Sequence, residues 1–266
     1  IEEDDFLSID SANIDTYRVT SSYPTVAREI TNHKDGIAVQ TDKTIMDVAG
    51  RQIGGDQPIY VLGNCAAESR EQVLGTASDW ARIAQDLGIK DRAIYRAGAW
   101  KPRTNPRSFD GEKWDAVQWM EEAREETGLP IATEAYKESI VDELAGRMDL
   151  LWIGARHSTN IELLHKVGNL ESPVMLKNPT DNDNVDNWLQ LADHIAYMGN
   201  HNLGVLYRGV KDKGKKGKAN TANLQRLDEL REKSHLPIGM DPSHASKGAP
   251  CLTDNVKHYA IDSARR

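Results

Sequence analysis

Short apolar runs alternate with longer segments of helical period from Pro58 onward. Such alternation is typical of βα units that build a parallel sheet. Seven runs are predicted to be strands, at residues 59–62, 93–95, 131–133, 150–153, 173–176, 203–206 and 237–240. The pattern therefore predicts an α/β fold.

The segments between these runs carry apolar residues on one helical face. Ser69 and Gln72 have the spacing of a capping box at the start of the first helix. The apolar face that follows consists of Val73, Ala77, Trp80, Ala84 and Leu87. A second helix is predicted to end at Gly128, and the last one begins near Thr253.

Seven βα units are compatible with an open sheet or with an eight-stranded barrel that lacks its final unit. No strand is followed by the Gly-rich dinucleotide turn found in many open sheets. We therefore predict a (β/α)8 TIM barrel at residues 58–266, with the eighth βα unit missing from the sequence. Residues 1–57 are predicted to be an N-terminal extension, in which 37–39 and 45–48 pair as a hairpin that plugs or flanks the barrel.

Composition and charge exclude several classes of function. The chain has 266 residues, with 33 Lys and Arg against 41 Asp and Glu and a formal net charge of −8. This acidic balance argues against nucleic-acid binding, because the phosphate backbone requires clustered cations. No apolar run approaches the roughly 18 residues of a membrane span, and the start does not resemble a signal peptide. Two cysteines are too few for a disulfide framework, so we expect a cytoplasmic protein without membrane or nucleic-acid partners.

Cationic side chains follow the predicted strands. In a βα barrel the residues directly after each strand face the catalytic mouth. The cations at these positions are Arg96, Lys101, Arg103, Arg156, Lys177 and Arg208. Because so many like charges repel each other unless anions lie among them, phosphates and carboxylates are their natural ligands. The alternative for any single one of these residues is a solvated side chain or a pair with a barrel acid.

Three further candidate residues lie at strand ends. Cys65 follows the first strand, Glu134 ends the third, and His244 follows the seventh. The first and seventh strands flank the missing eighth, so Cys65 and His244 are candidates for two ligands of a divalent metal ion. The alternatives are that Cys65 is a small buried apolar residue and that His244 is a hydrogen-bonded polar residue. Two ligands do not complete a metal site, and Glu134 is only a weak candidate for a third.

Several short motifs occur in an order that resembles one enzyme family. They are Arg96, Lys101-Pro102-Arg103-Thr104, Ile153-Gly154-Ala155-Arg156, Leu176-Lys177-Asn178, Arg208-Gly209 and Asp241-Pro242-Ser243-His244. Over roughly residues 58–250 the chain resembles the type I 3-deoxy-D-arabino-heptulosonate 7-phosphate (DAHP) synthases of the β-type, in the superfamily that also contains the octulosonate (KDO8P) synthases. The octulosonate enzymes carry a Lys-Ala-Asn-Arg segment where this chain has Lys-Pro-Arg-Thr, which favours erythrose 4-phosphate over arabinose 5-phosphate as the aldehyde.

The resemblance implies a reaction and a role for each residue. The implied reaction is the aldol-type condensation of phosphoenolpyruvate with erythrose 4-phosphate, which releases phosphate in the first step of the shikimate pathway to aromatic amino acids. The side chains implied to hold phosphoenolpyruvate are Arg96, Lys101, Arg156, Lys177 and Arg208. The residues implied to hold the sugar phosphate are Lys101, Pro102, Arg103 and Thr104. Lys101, Glu134 and His244 are implied to be catalytic, with Glu134 orienting the water that adds at C2.

The resemblance also implies a divalent metal ion, with Mn²⁺ expected and Fe²⁺, Co²⁺ or Zn²⁺ as alternatives. Cys65 and His244 match two of the family's four metal ligands, although Gly63-Asn64-Cys65 stands where the family usually has Gly-Pro-Cys. The other two ligands, a Glu and an Asp, belong to the eighth unit, before which this sequence stops. We expect them beyond residue 266; otherwise the chain is an inactive relative. A homo-oligomer, either a dimer or a tetramer, is implied as well.

Two other functions stay open at this point. One is a different phosphoenolpyruvate-dependent sugar-phosphate synthase, similar to the octulosonate enzymes. The other is a non-catalytic binder of phosphate ligands that kept the cations and lost the metal. The basic run at 211–218 is predicted to be a solvated loop, with a lid over the substrate phosphates as the alternative.

Overall fold

A parallel sheet of seven strands is the centre of the fold. The computed structural model describes residues 43–102, 105, 107–211, 220–247 and 252–264. Its strands are β1 (Met46–Val48), β2 (Arg51–Ile53), β3 (Tyr60–Leu62), β4 (Ala93–Arg96), β5 (Ile131–Ala135), β6 (Leu150–Ile153), β7 (Val174–Lys177), β8 (Leu203–Tyr207), β9 (Val210–Lys211), β10 (Asn220–Thr221) and β11 (Ile238–Met240). Strands β3 to β8 and β11 lie side by side in chain order, and each neighbouring pair is parallel. The seven predicted strands are confirmed, and the sheet is a partial TIM barrel.

Helices alternate with these strands and cover one face of the sheet. They are α1 (Arg70–Asp86), α2 (Trp114–Thr127), α3 (Glu138–Arg147), α4 (Ile161–Gly168), α5 (Val185–Tyr197), α6 (Gln225–Lys233), α7 (Pro242–Ala245) and α8 (Leu252–Ala264). The larger apolar core lies between helices and strands and contains Val117, Leu144 and Leu151, all fully buried. Helix α2 ends as predicted at Gly128, whose φ of 71° is left-handed backbone that glycine adopts without strain.

The start of α1 follows the predicted capping pattern in part. The Ser69 side chain accepts a hydrogen bond from the Gln72 backbone N–H at 3.1 Å. The Gln72 side chain accepts from the backbone N–H of Glu68 instead of from Ser69. The buried face of the helix includes Val73, Ala77, Trp80 and Ala84. The prediction for Leu87 is wrong: it is 65% exposed, because the helix ends at Asp86 and the chain then leaves the core.

The opposite face of the sheet has its own apolar cluster, which a hairpin helps to fill. Side chains alternate between the two faces along each strand, so that Ile94 lies in this inner cluster while Tyr95 lies in the outer core. The buried inner residues are Met46, Val48, Ile94, Ala132, Leu150, Trp152 and Met175. The first two belong to β1, which pairs antiparallel with β2. The inner face is therefore a packed core, as expected for a barrel of this kind.

The described residues contain a hairpin other than the predicted one. Residues 46–48 pair with 51–53 across a two-residue turn, and 37–39 lie outside the described residues. Ala49 (φ 48°) and Gly50 (φ 83°) both have positive φ, as the primed turns of tight hairpins require. Ala-Gly lacks the Asn or Asp that usually signals such a turn, which explains why the pattern was not recognised.

The two edges of the sheet are β3 and β11. All three residues of β3 are exposed, between 36% and 45%, so the predicted eighth strand would lie at this edge, between β3 and β11. Strands β9 and β10 form a separate antiparallel pair that the sequence pattern did not predict. Of the basic run at 211–218, only Lys211 is among the described residues. In the part of the chain that the structure describes, no helix is long and apolar enough to cross a membrane.

Candidate active site

The predicted site residues gather at the carboxyl ends of the parallel strands, which we call the barrel mouth. The described members of this group are Cys65, Arg96, Lys101, Pro102, Glu134, Arg156, Lys177, Arg208 and His244. Each comes from the end of a strand or from the segment that follows it, so the parallel sheet brings together residues that are distant in sequence. Arg103 and Thr104 lie outside the described residues.

A buried ion pair joins the seventh strand of the sheet to the fifth. Lys177 Nζ donates to Asp241 Oδ2 at 2.6 Å, and both side chains are largely buried. The same carboxylate oxygen accepts from His244 Nδ1 at 2.7 Å, while Asp241 Oδ1 accepts from the His244 backbone N–H. Burial alone would raise the pKa of Asp241, but the Lys177 charge and the hydrogen bond from His244 hold it well below its usual range. Asp241 is therefore the ionised anion among the cations of the mouth.

The ring of Trp152 lies beneath two of the cations. The Arg96 guanidinium lies 4.6 Å from the ring centroid, and Lys177 Nζ lies 5.8 Å from it. Both distances are within the range of cation–π attraction. Arg96 also donates to the backbone carbonyl of Asn64 at 2.8 Å. Trp152 thus helps to hold two like charges in one small region.

Cys65 and Lys101 are in direct contact. Lys101 Nζ lies 3.5 Å from Cys65 Sγ, which is donor distance for sulfur. Burial lowers the pKa of the Lys101 amine; the neighbouring Cys65 opposes this shift, and the Arg96 charge adds to it. Gly98 leaves the necessary space, because a side chain there would overlap the end of Lys101. Lys101 therefore holds its proton less tightly than an exposed lysine does.

Arg208 is buried directly after β8, and a hydrogen bond from its backbone N–H fixes its position. Its N–H donates to the Asn178 side-chain oxygen at 2.9 Å, and the Asn178 amide donates to the Gly209 carbonyl at 3.0 Å. Among the described residues, the Nη1 atom of Arg208 is buried without a hydrogen-bond partner. Burial lowers the pKa of this guanidinium, with the Asp241 charge opposing and the Arg156 charge adding to the shift. An arginine still stays charged, so Arg208 can offer a donor to an anionic ligand.

Arg156 is exposed, and its side chain contacts the segment that follows β4. Its Nη1 atom donates to the Pro102 backbone carbonyl at 2.7 Å. This bond joins the segment after β6 to the segment after β4, which contains the Lys101-Pro102-Arg103-Thr104 motif. A charge in this position faces solvent at the rim and is accessible to a ligand.

Glu134 supplies the second acid of the mouth. Burial by itself would raise its pKa, but the nearby His157 and the Lys177 charge outweigh burial and lower the pKa. His157 Nδ1 lies 3.8 Å from Glu134 Oε1. Gly154 makes room for this carboxylate, because a Cβ there would overlap it. Glu134 is therefore ionised at neutral pH.

Cys65 and His244 fit two positions of a divalent metal site by their chemistry. Because the ionised Asp241 can only accept, His244 donates from Nδ1, and the lone pair of its Nε2 atom can bind a metal ion. A carboxylate that orients an imidazole in this way is a common feature of metal-ligating histidines, and sulfur with nitrogen suits transition metals. Within the described ranges, no group of three or more His, Cys, Asp or Glu side chains could hold a metal ion. The described chain thus offers two donors of such a site.

Sequence reasoning missed some participants in the mouth. Asp241 and Asn178 lie inside recognised motifs without an assigned role, and His157 directly follows Arg156. Their positions after strand ends are a signal that could have identified them. Trp152 had no such signal, because an apolar residue within a strand is indistinguishable from an ordinary core residue.

Comparison with known proteins agrees with this geometry. The model of the DAHP synthetase I family matches residues 35–258. A phospho-2-dehydro-3-deoxyheptonate aldolase of Thermotoga maritima is 33% identical over 242 residues, which are 91% of this chain and 66% of that protein. A 2-dehydro-3-deoxyphosphooctonate aldolase of Alkalilimnicola ehrlichii is 26% identical over 208 residues, covering 75% of this chain and 71% of the relative.

Solved structures show the same likeness. The crystal structure of the T. maritima DAHP synthase matches with a TM-score of 0.67 and 32% identity, covering 77% of this chain and 56% of that one. A truncated form of the same enzyme matches with a TM-score of 0.70 and 30% identity, covering 84% of this chain and 78% of that one. The chain thus spans less than two thirds of the first of these T. maritima structures. The family match over most of the sequence shows that this chain belongs to the DAHP synthetase I family.

Proposed function

We propose that this chain catalyses the DAHP synthase reaction, in which phosphoenolpyruvate condenses with erythrose 4-phosphate. The observation that carries the proposal is the group of cations that surrounds Asp241 and Glu134 at the mouth. The chain that carries this group belongs to the DAHP synthetase I family. The name of the T. maritima relative supports the same reaction.

Phosphoenolpyruvate is held by the cations of the mouth. Its phosphate and carboxylate carry charges that match Arg96, Lys177 and Arg208, with Arg156 at the rim. Arg208 contributes most, because its buried Nη1 has no partner among the described residues and a phosphate oxygen would satisfy it. The planar guanidinium groups also fix the orientation of the ligand, which brings its C3 atom toward the aldehyde.

The reaction forms one carbon–carbon bond, and at C2 an oxygen atom from water replaces the phosphate oxygen. C3 of phosphoenolpyruvate attacks the aldehyde carbon, and the Lys101 ammonium gives its proton to the aldehyde oxygen; the lowered pKa of Lys101 suits it to this step. Water then adds at C2, where Glu134 orients it and accepts its proton. The bond between C2 and the phosphate oxygen then breaks, the C2 hydroxyl gives its proton to the departing phosphate, and C2 becomes the ketone of the product.

The proposal includes a divalent cation, with Mn²⁺ expected, bound by Cys65 and His244. When bound, the cation supplies a positive charge that polarises the aldehyde oxygen. Asp241 orients the imidazole of His244, so it supports the metal site and the substrate cations at once. A homo-oligomeric assembly in the cytoplasm belongs to the same proposal.

The octulosonate-type reaction is the second candidate, because relatives at 26% identity are named 2-dehydro-3-deoxyphosphooctonate aldolases. The test is phosphate release from phosphoenolpyruvate with erythrose 4-phosphate or arabinose 5-phosphate, with and without Mn²⁺. We expect turnover with erythrose 4-phosphate that chelation and Cys65→Ala both abolish. A preference for arabinose 5-phosphate would favour the second candidate. Phosphoenolpyruvate binding without turnover on either aldehyde would indicate a non-catalytic relative.

A further inference from the structure

His157 has an unusual environment for a histidine at the mouth of a barrel. Its Nδ1 atom is buried and has no hydrogen-bond partner among the described residues. A buried polar atom without a partner costs about 1 to 3 kcal/mol, so such an atom calls for an explanation. The nearest acidic atom is Glu134 Oε1, at 3.8 Å.

Neighbouring residues fix the His157 ring on the Glu134 side. The His157 backbone N–H donates to the Gly154 carbonyl at 2.9 Å, which holds the turn after β6. The Tyr136 ring lies 5.8 Å from the imidazole, centroid to centroid, and the Trp100 ring lies 6.2 Å from Tyr136. These aromatic contacts limit the positions of the imidazole, so its Nδ1 edge stays near the carboxylate.

The Glu134 carboxylate has two lysines nearby and one imidazole. The charges of Lys177 and Lys101 lower the pKa of Glu134. The hydrogen bonds of these lysines go elsewhere, from Lys177 to Asp241 and from Lys101 to Cys65. An ionised carboxylate only accepts hydrogen bonds, and the unpartnered polar atom beside it is His157 Nδ1, which donates in the Nδ1–H tautomer. A separation of 3.8 Å is too long for a hydrogen bond, yet catalytic hydrogen bonds are often long before ligands bind and tighten afterwards.

We propose that His157 is a positioning residue for Glu134, whose Nδ1–H group holds the carboxylate in the orientation that directs water to C2 of phosphoenolpyruvate. The inference rests on the proposed function and adds to it a residue that belongs neither to the predicted substrate-binding residues nor to the metal site. Neutral His157 suffices for this role, because it donates from Nδ1 and gives up no proton in the reaction.

Two substitutions separate the donor from the bulk of the side chain. His157→Leu removes the donor and keeps a similar volume, while His157→Asn keeps an amide donor at similar reach. We expect His157→Leu to lower kcat by about 10- to 100-fold, the usual effect of losing a residue that orients a functional group. The KM for phosphoenolpyruvate stays within about twofold, since the cations that hold it are unchanged. His157→Asn recovers most of the activity, and His258→Leu, at an exposed histidine on α8, is the matched control.

A spectroscopic measurement tests the contact without turnover. Long-range proton–nitrogen NMR correlations identify which ring nitrogen of neutral His157 carries the proton. We expect Nδ1–H in the wild-type protein, and a shift toward Nε2–H in Glu134→Met, which removes the acceptor. An Nε2–H tautomer in the wild-type protein would overturn the inference.

The kinetic and spectroscopic results also distinguish the inference from the proposed function. Absence of turnover in the wild-type protein would refute the proposed function. The tautomer of His157 would still show whether His157 donates to Glu134. Wild-type turnover together with an unchanged kcat in His157→Leu would refute the inference and leave the proposed function intact. Equal loss in His157→Leu and His157→Asn would show that only the shape of the side chain matters, which also contradicts it.

Discussion

Three cations of the mouth each have a local compensating group. Lys177 has Asp241, Arg96 has the Trp152 ring, and Lys101 has the Cys65 sulfur. An isolated buried charge costs several kcal/mol. Removal of the anion that pairs with a buried cation is therefore expected to destabilise the folded protein.

Asp241→Asn tests this compensation directly. The substitution keeps the shape of the side chain and leaves Lys177 as a buried cation without its counter-charge. We expect the free energy of unfolding to fall by about 3 to 5 kcal/mol at pH 7, as for other buried pairs that lose one partner. The measurement is denaturant unfolding at several pH values.

The pH dependence follows from the lowered pKa of Asp241, which burial opposes and the Lys177 charge and the His244 hydrogen bond produce. A carboxyl whose pKa is lower in the folded state than in the unfolded state stabilises the protein above its unfolded pKa of about 4. The difference between wild type and Asp241→Asn is therefore largest above that pH and shrinks as pH falls below it. Asp262→Asn, which removes a surface partner of His258, is the control and should cost less than about 1 kcal/mol. A pH-independent difference would contradict the assignment.

At the residue scale, the sequence predicted which charged residues lie together at the barrel mouth. Arg96, Lys177 and Arg208 end or directly follow apolar strands, and the parallel sheet requires such residues to meet at one end. The contact of Trp152 with two cations and the approach of His157 to Glu134 depend on segments that are remote in sequence. No local pattern records those contacts.

Among the elements, the hairpin β1–β2 contributes to the core on the inner face of the sheet. It precedes the barrel strands in the chain, yet its Met46 and Val48 side chains lie in the inner apolar cluster. Thr44 ties its start to the segment before β11, through a backbone hydrogen bond of 2.9 Å to the His235 carbonyl. The hairpin is thus an integral part of the inner core.

Met46 and Ile45 provide a matched test of this packing. Met46 is fully buried, whereas its neighbour Ile45 is 51% exposed. We expect Met46→Ala to lower the free energy of unfolding by about 2 to 5 kcal/mol, because it leaves a cavity in the inner cluster. Ile45→Ala should change it by less than about 0.5 kcal/mol. Equal effects in denaturant unfolding would show that the hairpin does not contribute to the core.

The predictability of the elements depended on their length and burial. The seven barrel strands were predicted because strands buried on both faces appear as continuous apolar runs. Strands β9 and β10 have two residues each and carry no periodic signal. The turn of the hairpin at Ala49 and Gly50 was missed because its geometry is set by pairing and not by a typical turn sequence.

For the molecule as a whole, a chain with a net charge of −8 concentrates cations at one end of its sheet. Such a local field attracts doubly anionic substrates even when the overall charge is negative. The chain covers 66% of the T. maritima relative and 56% of its crystal structure. Turnover requires every catalytic group, whereas binding of phosphoenolpyruvate requires only the cations of the mouth. We therefore expect the residues of the described mouth to be sufficient for binding phosphoenolpyruvate.

Calorimetric titration of phosphoenolpyruvate into wild-type protein and into Arg208→Met tests this account most directly. Arg208 is buried with a free Nη1 atom among the described residues, and loss of one charged hydrogen bond costs about 1.5 to 3 kcal/mol. We expect one binding site in the wild-type protein and an affinity about 10- to 100-fold weaker in the variant. Arg231→Met, on α6, should bind like the wild type. Equal affinity in wild type and Arg208→Met, or no binding to either, would contradict the assignment of the barrel mouth as the phosphoenolpyruvate site.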